Sequence, residues 1–144
     1  MKLTNSNRDL EVLYFRTFHI IEAAFKKELR NKRIPPEIGA MLAEIYRLKN
    51  PRPIELSRSS RRKPQTITAI INRMEMQGLV KRVRNERKTN TYRIRLTGKG
   101  LLAYQKVLEI DIFPRIIQTL SEEKREQFRE CLEELNDRAN KSLK

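Results

Sequence analysis

Apolar residues return at three- and four-residue steps between Arg8 and Arg30: Leu10, Leu13/Tyr14, Thr17/Phe18, Ile21, Ala24/Phe25 and Leu29. That period predicts an amphipathic helix over residues 8–30, with aromatic rings at three of its steps. The stripe is long for a first helix and needs a partner larger than the following segment offers. Two prolines, Pro35 and Pro36, break it. A second helix, 37–49, carries Met41, Leu42, Ile45 and Leu48 on one face and stops before Asn50-Pro51. A short helix over 54–60 follows, then a turn rich in Ser and Arg. Pro64 opens the next helix, because a residue without an N–H suits a first turn whose donors are unpaired anyway. Ile67, Ile70/Ile71 and Met74 form the buried stripe of that helix, and Gly78 ends it.

The period then changes from helical to alternating. Leu79-Val80 and Val83 begin a strand, and Asn85-Glu86-Arg87-Lys88-Thr89-Asn90 form a polar hairpin tip. The return strand places Tyr92, Ile94 and Leu96 on one face and Thr91, Arg93 and Arg95 on the other. Thr97 can cap a helix over 98–113, with Leu101, Tyr104/Gln105, Leu108 and Ile112 in register; Pro114 kinks it or starts a new segment. Ser121 is the expected N-cap of the last helix, followed by Glu122 and Glu123 in the dipole-favoured first turn. Phe128, Leu132, Leu135 and Ala139 carry its apolar face. The expected fold is therefore mainly α with a small two-stranded β wing. It is a single domain, 1–144, in which a winged helix-turn-helix core (37–97) is flanked by N-terminal (8–30) and C-terminal (98–144) dimerisation helices.

Charge follows the same division. The net charge is +14, yet residues 1–30 carry 6 Lys/Arg against 4 Asp/Glu, and 98–144 carry 9 against 9. Residues 31–97 hold 17 against 5, nearly the whole excess. Clustered cations gain affinity for a polyanion by releasing its condensed counterions, so nucleic acid is the favoured partner. Membrane docking is disfavoured, because no basic amphipathic helix carries large apolar residues on its other face. An apolar content of 38% is thin for a self-sufficient core, and such chains often complete theirs by dimerising. No uninterrupted apolar run is long enough to span a membrane, and Asn5, Asn7, Arg8 and Asp9 interrupt any signal core. A cytoplasmic protein is expected.

Chemistry is scarce. The basic middle holds only Glu37, Glu44, Glu55, Glu75 and Glu86, with no carboxylate pair near a histidine, so an enzyme is not expected. His19 and Cys131 are single residues of their types and make no metal or cofactor site by spacing. Cys131 reads as a buried, inert thiol and His19 as a packed or surface residue. Gln65, Thr66, Thr68, Ala69 and Arg73 lie off the buried stripe of the second helix of the pair, in the part that reaches base edges. Gln suits adenine, Thr and Ala the thymine methyl, and Arg guanine or phosphate; Arg73 could equally brace its helix. Ser59, Arg61, Arg62 and Lys63 are placed for phosphate contact, which sets register without reading sequence. In the wing, Arg84, Arg87, Lys88, Asn90 and Arg93 are candidates for minor-groove or phosphate contact. Tyr14, Phe18, Tyr46 and Tyr104 are candidates for a ligand pocket, although aromatics at helical spacing are more often plain core.

Five segments carry a family resemblance: Glu55-Leu56-Ser57, Gln65-Thr66-Ile67-Thr68, Asn72-Arg73-Met74-Glu75, Gly78-Leu79-Val80-Lys81-Arg82 and Leu96-Thr97-Gly98-Lys99-Gly100. Together they resemble the MarR family of transcriptional regulators. The spacing agrees as well, with 11 residues from Leu56 to Ile67, 7 more to Met74 and 4 more to Gly78. The resemblance implies a homodimer with interlocked first and last helices, each subunit placing a winged helix on one half-site of double-stranded DNA. It also implies a repressor released by a small-molecule effector or thiol oxidation. Two departures stand out. The wing tip has Glu86-Arg87-Lys88 in place of the usual Asp-x-Arg, and the turn between the helix pair carries Ser60, Arg61 and Arg62 where an apolar residue often sits. The competing reading is an architectural or RNA-binding winged-helix protein with little sequence choice.

Overall fold

The computed structural model of the chain describes residues 5–84 and 91–144. Among them the elements run α1 (Asn5–Asn31), α2 (Pro36–Leu48), α3 (Pro53–Ser60), α4 (Pro64–Met76), β1 (Val80–Arg84), β2 (Tyr92–Leu96), α5 (Gly98–Leu108), α6 (Ile112–Ile117) and α7 (Glu122–Ser142). The fold is mainly helical with a small antiparallel sheet, as the hydrophobic pattern predicts. The chain divides into two units, Met1–Ile110 and Asp111–Lys144.

In the first unit α2 is the hub, packing against α1, α3, α4, α5 and β2. Its Ile38, Met41, Leu42 and Ile45 are buried, together with Leu56 of α3, Ile67, Ile70, Ile71 and Met74 of α4, and Ile94 of β2. Each buried aliphatic side chain contributes about 1.5–3 kcal/mol of transfer free energy. Four of them on α4 easily outweigh the modest helix propensities of Thr66, Thr68 and Asn72, which cost at most ~0.7 kcal/mol apiece. Tertiary burial, not local preference, makes α4 a helix.

The ends are set by local chemistry. Gly78, at φ 74°, closes α4, its N–H reaching Glu75 O (3.0 Å) and that of Leu79 reaching Met74 O (2.9 Å). This is a Schellman closure, and the left-handed residue in it favours glycine. Strand β1 pairs with β2 in the register Val80↔Leu96, Arg82↔Ile94 and Arg84↔Tyr92. A further bond from Ile94 N to Pro51 O (2.8 Å) ties the sheet to the α2–α3 turn. Thr97 caps α5 by accepting from Gly100 N (3.1 Å), and Ser121 caps α7 by accepting from Lys124 N (3.2 Å), both as expected.

Three expectations change. The helix expected over 98–113 ends at Leu108, and α6 starts at Ile112. A continuous helix would drive the Pro114 ring into the carbonyl of Ile110, so the chain restarts and Pro114 falls in the first turn of α6. Helix α5, grouped by sequence with the C-terminal dimerisation helices, packs on α2 and β2 and belongs to the first unit. Cys131, read as buried, is exposed, because α7 buries none of its residues within this chain. On α1 only Leu29 is fully buried, while Leu10, Leu13, Tyr14 and Phe18 remain more than half exposed.

The two glycines that open α5 differ sharply. A Cβ on Gly100 would lie 2.0 Å from the carbonyl oxygen of Leu79, whereas one on Gly98 would meet nothing within 4 Å. That carbonyl accepts from Thr97 N (3.0 Å), so it cannot retreat without losing the join between β1 and α5. Gly100→Ala is expected to cost about 2–3 kcal/mol through overpacking, and Gly98→Ala to be neutral or stabilising by up to ~1 kcal/mol. Chemical denaturation of the two variants checks this; equal effects would mean that the close approach at Gly100 does not constrain the fold.

Candidate nucleic-acid interface

Burial sorts α4 into two faces. Ile67, Ile70, Ile71 and Met74 face the core, and Gln65, Thr66, Thr68, Ala69 and Arg73 are all exposed. The first turn of α4 has no acidic residue and no side-chain cap, and Pro64 brings no N–H. The N–H groups of Gln65 and Thr66 are therefore open at the positive end of the helix dipole, which suits an anion. The Thr68 hydroxyl donates to Pro64 O (3.0 Å), leaving its methyl as the group free for an apolar contact.

The turn before α4 is built to carry charge. Arg61 caps α3 in the left-handed conformation (φ 52°). Ser57 Oγ donates to Arg62 O (2.6 Å) and Arg62 N donates to Ser57 O (3.2 Å), so the backbone of Arg62 is clamped at both ends. Among the described residues, the side chains of Arg58, Arg61, Arg62 and Lys63 have no hydrogen-bond or ion-pair partner. Ser59, by contrast, donates to Glu44 Oε2 (2.7 Å), which ties the turn to α2.

Other arginines are committed. The Arg73 guanidinium pairs with Glu37 at the start of α2, the bracing alternative for that residue. Arg82 on β1 bonds Asn72 and approaches Glu75 (3.5 Å), both on α4, and lies over the Tyr92 ring at 4.9 Å. Arg47 holds Glu44 (2.8 Å) and Arg52 holds Glu55 (2.8 Å). Thus Glu37, Glu44, Glu55 and Glu75 are each matched to one arginine, and the surplus cations collect around the α3–α4 turn and the wing.

In the wing, Arg84 is exposed, and Arg93 donates to Asn50 O (3.1 Å), anchoring β2 to the α2–α3 turn. Arg87, Lys88 and Asn90 lie outside the described residues. The sheet register adds two cations that sequence reasoning missed. Lys81 stands opposite Arg95, both exposed and neither partnered among the described residues. Like charges facing each other across a sheet repel, so this pair gains from any nearby anion. The signal was in the strand alternation, but pairing Lys81 with Arg95 needs the hairpin register, which the amino-acid pattern of the tip does not fix. The four aromatic candidates separate. Tyr46 and Tyr104 stack at 4.6 Å, while Tyr14 contacts Phe15 and Phe18 contacts His19 on the exposed part of α1. Among the described residues no group of three His, Cys, Asp or Glu could hold a metal ion, and no helix is long and apolar enough to cross a membrane.

A helix pair, an outward-facing second helix and a basic two-stranded sheet define a winged helix-turn-helix, the architecture that can lay its second helix in a DNA groove. Residues 38–87 match the MarR family model. No curated protein matches the sequence. A MarR family protein from Bacillus stearothermophilus is 26% identical, with 97% of this chain and 99% of that one covered and a TM-score of 0.85. The organohalide-sensing transcriptional regulator RdhR, in its 2,4-dichlorophenol-bound form, is 25% identical over 94% of this chain and 82% of its own, with a TM-score of 0.75. A mutant MarR from E. coli complexed with operator DNA shares the fold at 17% identity, with a TM-score of 0.76 over 94% of this chain and 99% of that one. The winged helix of this chain is thus similar to those of MarR-family proteins, and the chain shares the fold of the Bacillus stearothermophilus protein over nearly its whole length.

Glu44 sits where α2, α3 and the basic turn meet. The Arg47 guanidinium, and then the Ser59 hydroxyl, hold its carboxyl below the ordinary value of 4.5. A carboxylate depressed in the folded state stabilises fully above its unfolded value, and that stability drains as pH falls through the folded one. The stability difference between wild type and Glu44→Gln is therefore expected to be constant at neutral pH and to shrink below about pH 4.5. Urea unfolding across pH 3–7 measures it. A difference independent of pH would show that the ionised form is not what holds the turn.

Proposed function

We propose that the chain is a dimeric, sequence-specific double-stranded DNA-binding transcriptional regulator. In this reading it is a cytoplasmic repressor that occupies a pseudo-palindromic promoter site. One observation carries the reading: the exposed N-terminal face of α4 stands beside four cations, Arg58, Arg61, Arg62 and Lys63, that have no partner among the described residues. Gln65, Thr66, Thr68 and Ala69 read base edges, and the turn and the wing grip phosphate. Arg73 and Arg93 serve first as braces, through Glu37 and Asn50, which keep the reading face in place. A second copy covers the exposed apolar stripes of α1 and α7, and the dimer sets two recognition helices about one DNA turn apart. A small-molecule effector that shifts this spacing releases the DNA. RdhR, 25% identical, is described as organohalide-sensing, which supports the effector.

Selection from a random duplex pool at about 0.15 M salt tests the reading. An enriched inverted repeat with half-sites about 10 bp apart is expected. Unenriched sequences, bound with an affinity that collapses as salt rises, would replace it with the architectural alternative.

Arg61 allows a sharper test of the phosphate assignment. In the left-handed region a non-glycine residue costs about 1–2 kcal/mol, so Arg61→Gly relieves strain while removing a charge. Stability is expected to stay within about 1 kcal/mol of wild type, because glycine's extra unfolded-state entropy offsets the relief. The slope of log affinity against log salt should become shallower by about 0.9 for each phosphate that Arg61 neutralises. An unchanged slope would remove Arg61 from the interface.

A further inference from the structure

After Pro64, the exposed side chains of α4 up to Arg73 are Gln65, Thr66, Thr68, Ala69, Asn72 and Arg73. The fold engages the polar groups of three of them. The Asn72 carboxamide oxygen accepts from Arg82 of β1, and the Arg73 guanidinium is paired with Glu37 of α2. The Thr68 hydroxyl donates its one proton to Pro64 O (3.0 Å). That bond fixes the rotamer of Thr68 and leaves its methyl as the group on offer. What remains is the Gln65 amide and the Thr66 hydroxyl, neither with a partner among the described residues, and the methyl groups of Thr66, Thr68 and Ala69. The one carboxylate of α4, Glu75, lies in its last turn, where Arg82 approaches it at 3.5 Å.

Each base asks for different chemistry at its major-groove edge. Guanine is read by an arginine or lysine fork and cytosine by a carboxylate, whereas adenine takes a carboxamide and thymine an apolar contact to its C5-methyl. With Arg73 held by Glu37 and Glu75 at the far end, the first two turns of α4 offer only the last two. Thr68 and Ala69 stand three and four residues after Gln65, so one amide and two methyl groups share one side of the helix. From Gln65 to Ala69 is roughly 6 Å of helix, comparable with about two base-pair steps of 3.4 Å. We propose that α4 reads A·T pairs through the thymine C5-methyl, with Thr68 as the specificity-determining residue. Thr68 acts through carbon and not oxygen, because its hydroxyl proton is taken by the helix. The inference rests on the proposed placement of α4 in the major groove and specifies what is read there.

The duplex that the full chain selects from a random pool supplies the probe, and its half-sites should contain A·T pairs. Replacing their thymines by uracil removes the C5-methyl and leaves every hydrogen-bonding group in place. Affinity, read by fluorescence anisotropy, should fall about fourfold for each methyl group that α4 buries. Thr68→Ser keeps the hydroxyl and loses the methyl; it should weaken the thymine duplex by a similar factor and leave the uracil duplex unchanged. Thr68→Val keeps the methyl and loses the hydroxyl, and should bind both duplexes within about twofold of wild type. The uracil comparison uses the unaltered protein, so it decides even if a variant folds poorly. Equal affinity for the thymine and uracil duplexes would overturn the inference. So would a Thr68→Ser loss of equal size on both, or a Thr68→Val variant as weak as Thr68→Ser. Half-sites of G·C pairs alone would overturn it while leaving the sequence-specific regulator intact. A pool without enrichment would defeat the proposed function, and the reading of any base with it.

Discussion

The burial of α2 is the constraint on which the first unit depends. Five elements pack on this one helix. Helix α4 can present Gln65 and Thr66 outward only because Ile67, Ile70, Ile71 and Met74 are locked against the core that α2 anchors. Helix α1 reaches the same core through Leu29 and Phe25, and a Cβ on Gly39 would lie 3.0 Å from a Leu29 methyl. Glycine inside a helix costs about 1 kcal/mol, and here the cost is offset by the close approach of Leu29. Toward its N-terminus the apolar stripe of α1 is left exposed, with Leu10, Leu13, Tyr14 and Phe18 all more than half accessible.

Arginines in the basic middle divide by partner rather than by position in the sequence. Those facing a carboxylate become braces: Arg73 fixes α4 to α2, and Arg82 fixes the wing to α4 through Glu75 and Asn72 while lying over the Tyr92 ring of β2. Exposed pairs of this kind contribute little to stability, on the order of 0–1 kcal/mol each. Their value lies in orientation. The cations around the α3–α4 turn have no such partner among the described residues and stay available to a polyanion. Net charge alone cannot distinguish the two groups, because both count as +1.

The helices, their caps and the sheet were legible in the sequence because hydrophobic period, proline and glycine act locally. The stop at Gly78, the caps Thr97 and Ser121 and the exposed face of α4 all fall where the pattern places them. What was not legible depends on contacts between distant residues. Nothing in the spacing links Arg73 to Glu37, thirty-six positions away, or Arg93 to the carbonyl of Asn50, forty-three away. Helix α5 read as an arm because its stripe looks like that of an arm; its packing on α2 and β2 is a tertiary fact. Cys131 read as buried because it lies near an apolar stripe, yet no residue of α7 is buried.

The wing carries the last consequence of uneven charge. Lys81 and Arg95 face each other in a two-stranded sheet with little burial of its own to spare, and neither has an acidic partner among the described residues. Opposed like charges cost a fraction of a kcal/mol up to about 1 kcal/mol in a sheet. The sheet tolerates that because Ile94 is buried and its N–H is bonded to Pro51 O, outside the hairpin. The repulsion is thus held in place by the core and not relaxed by strand separation. Any anion brought near the pair would relieve it. In the proposed function, sequence reading by α4 and attraction by the turn and wing would be separable: the first depends on side chains that the core orients, the second on charges without a partner among the described residues.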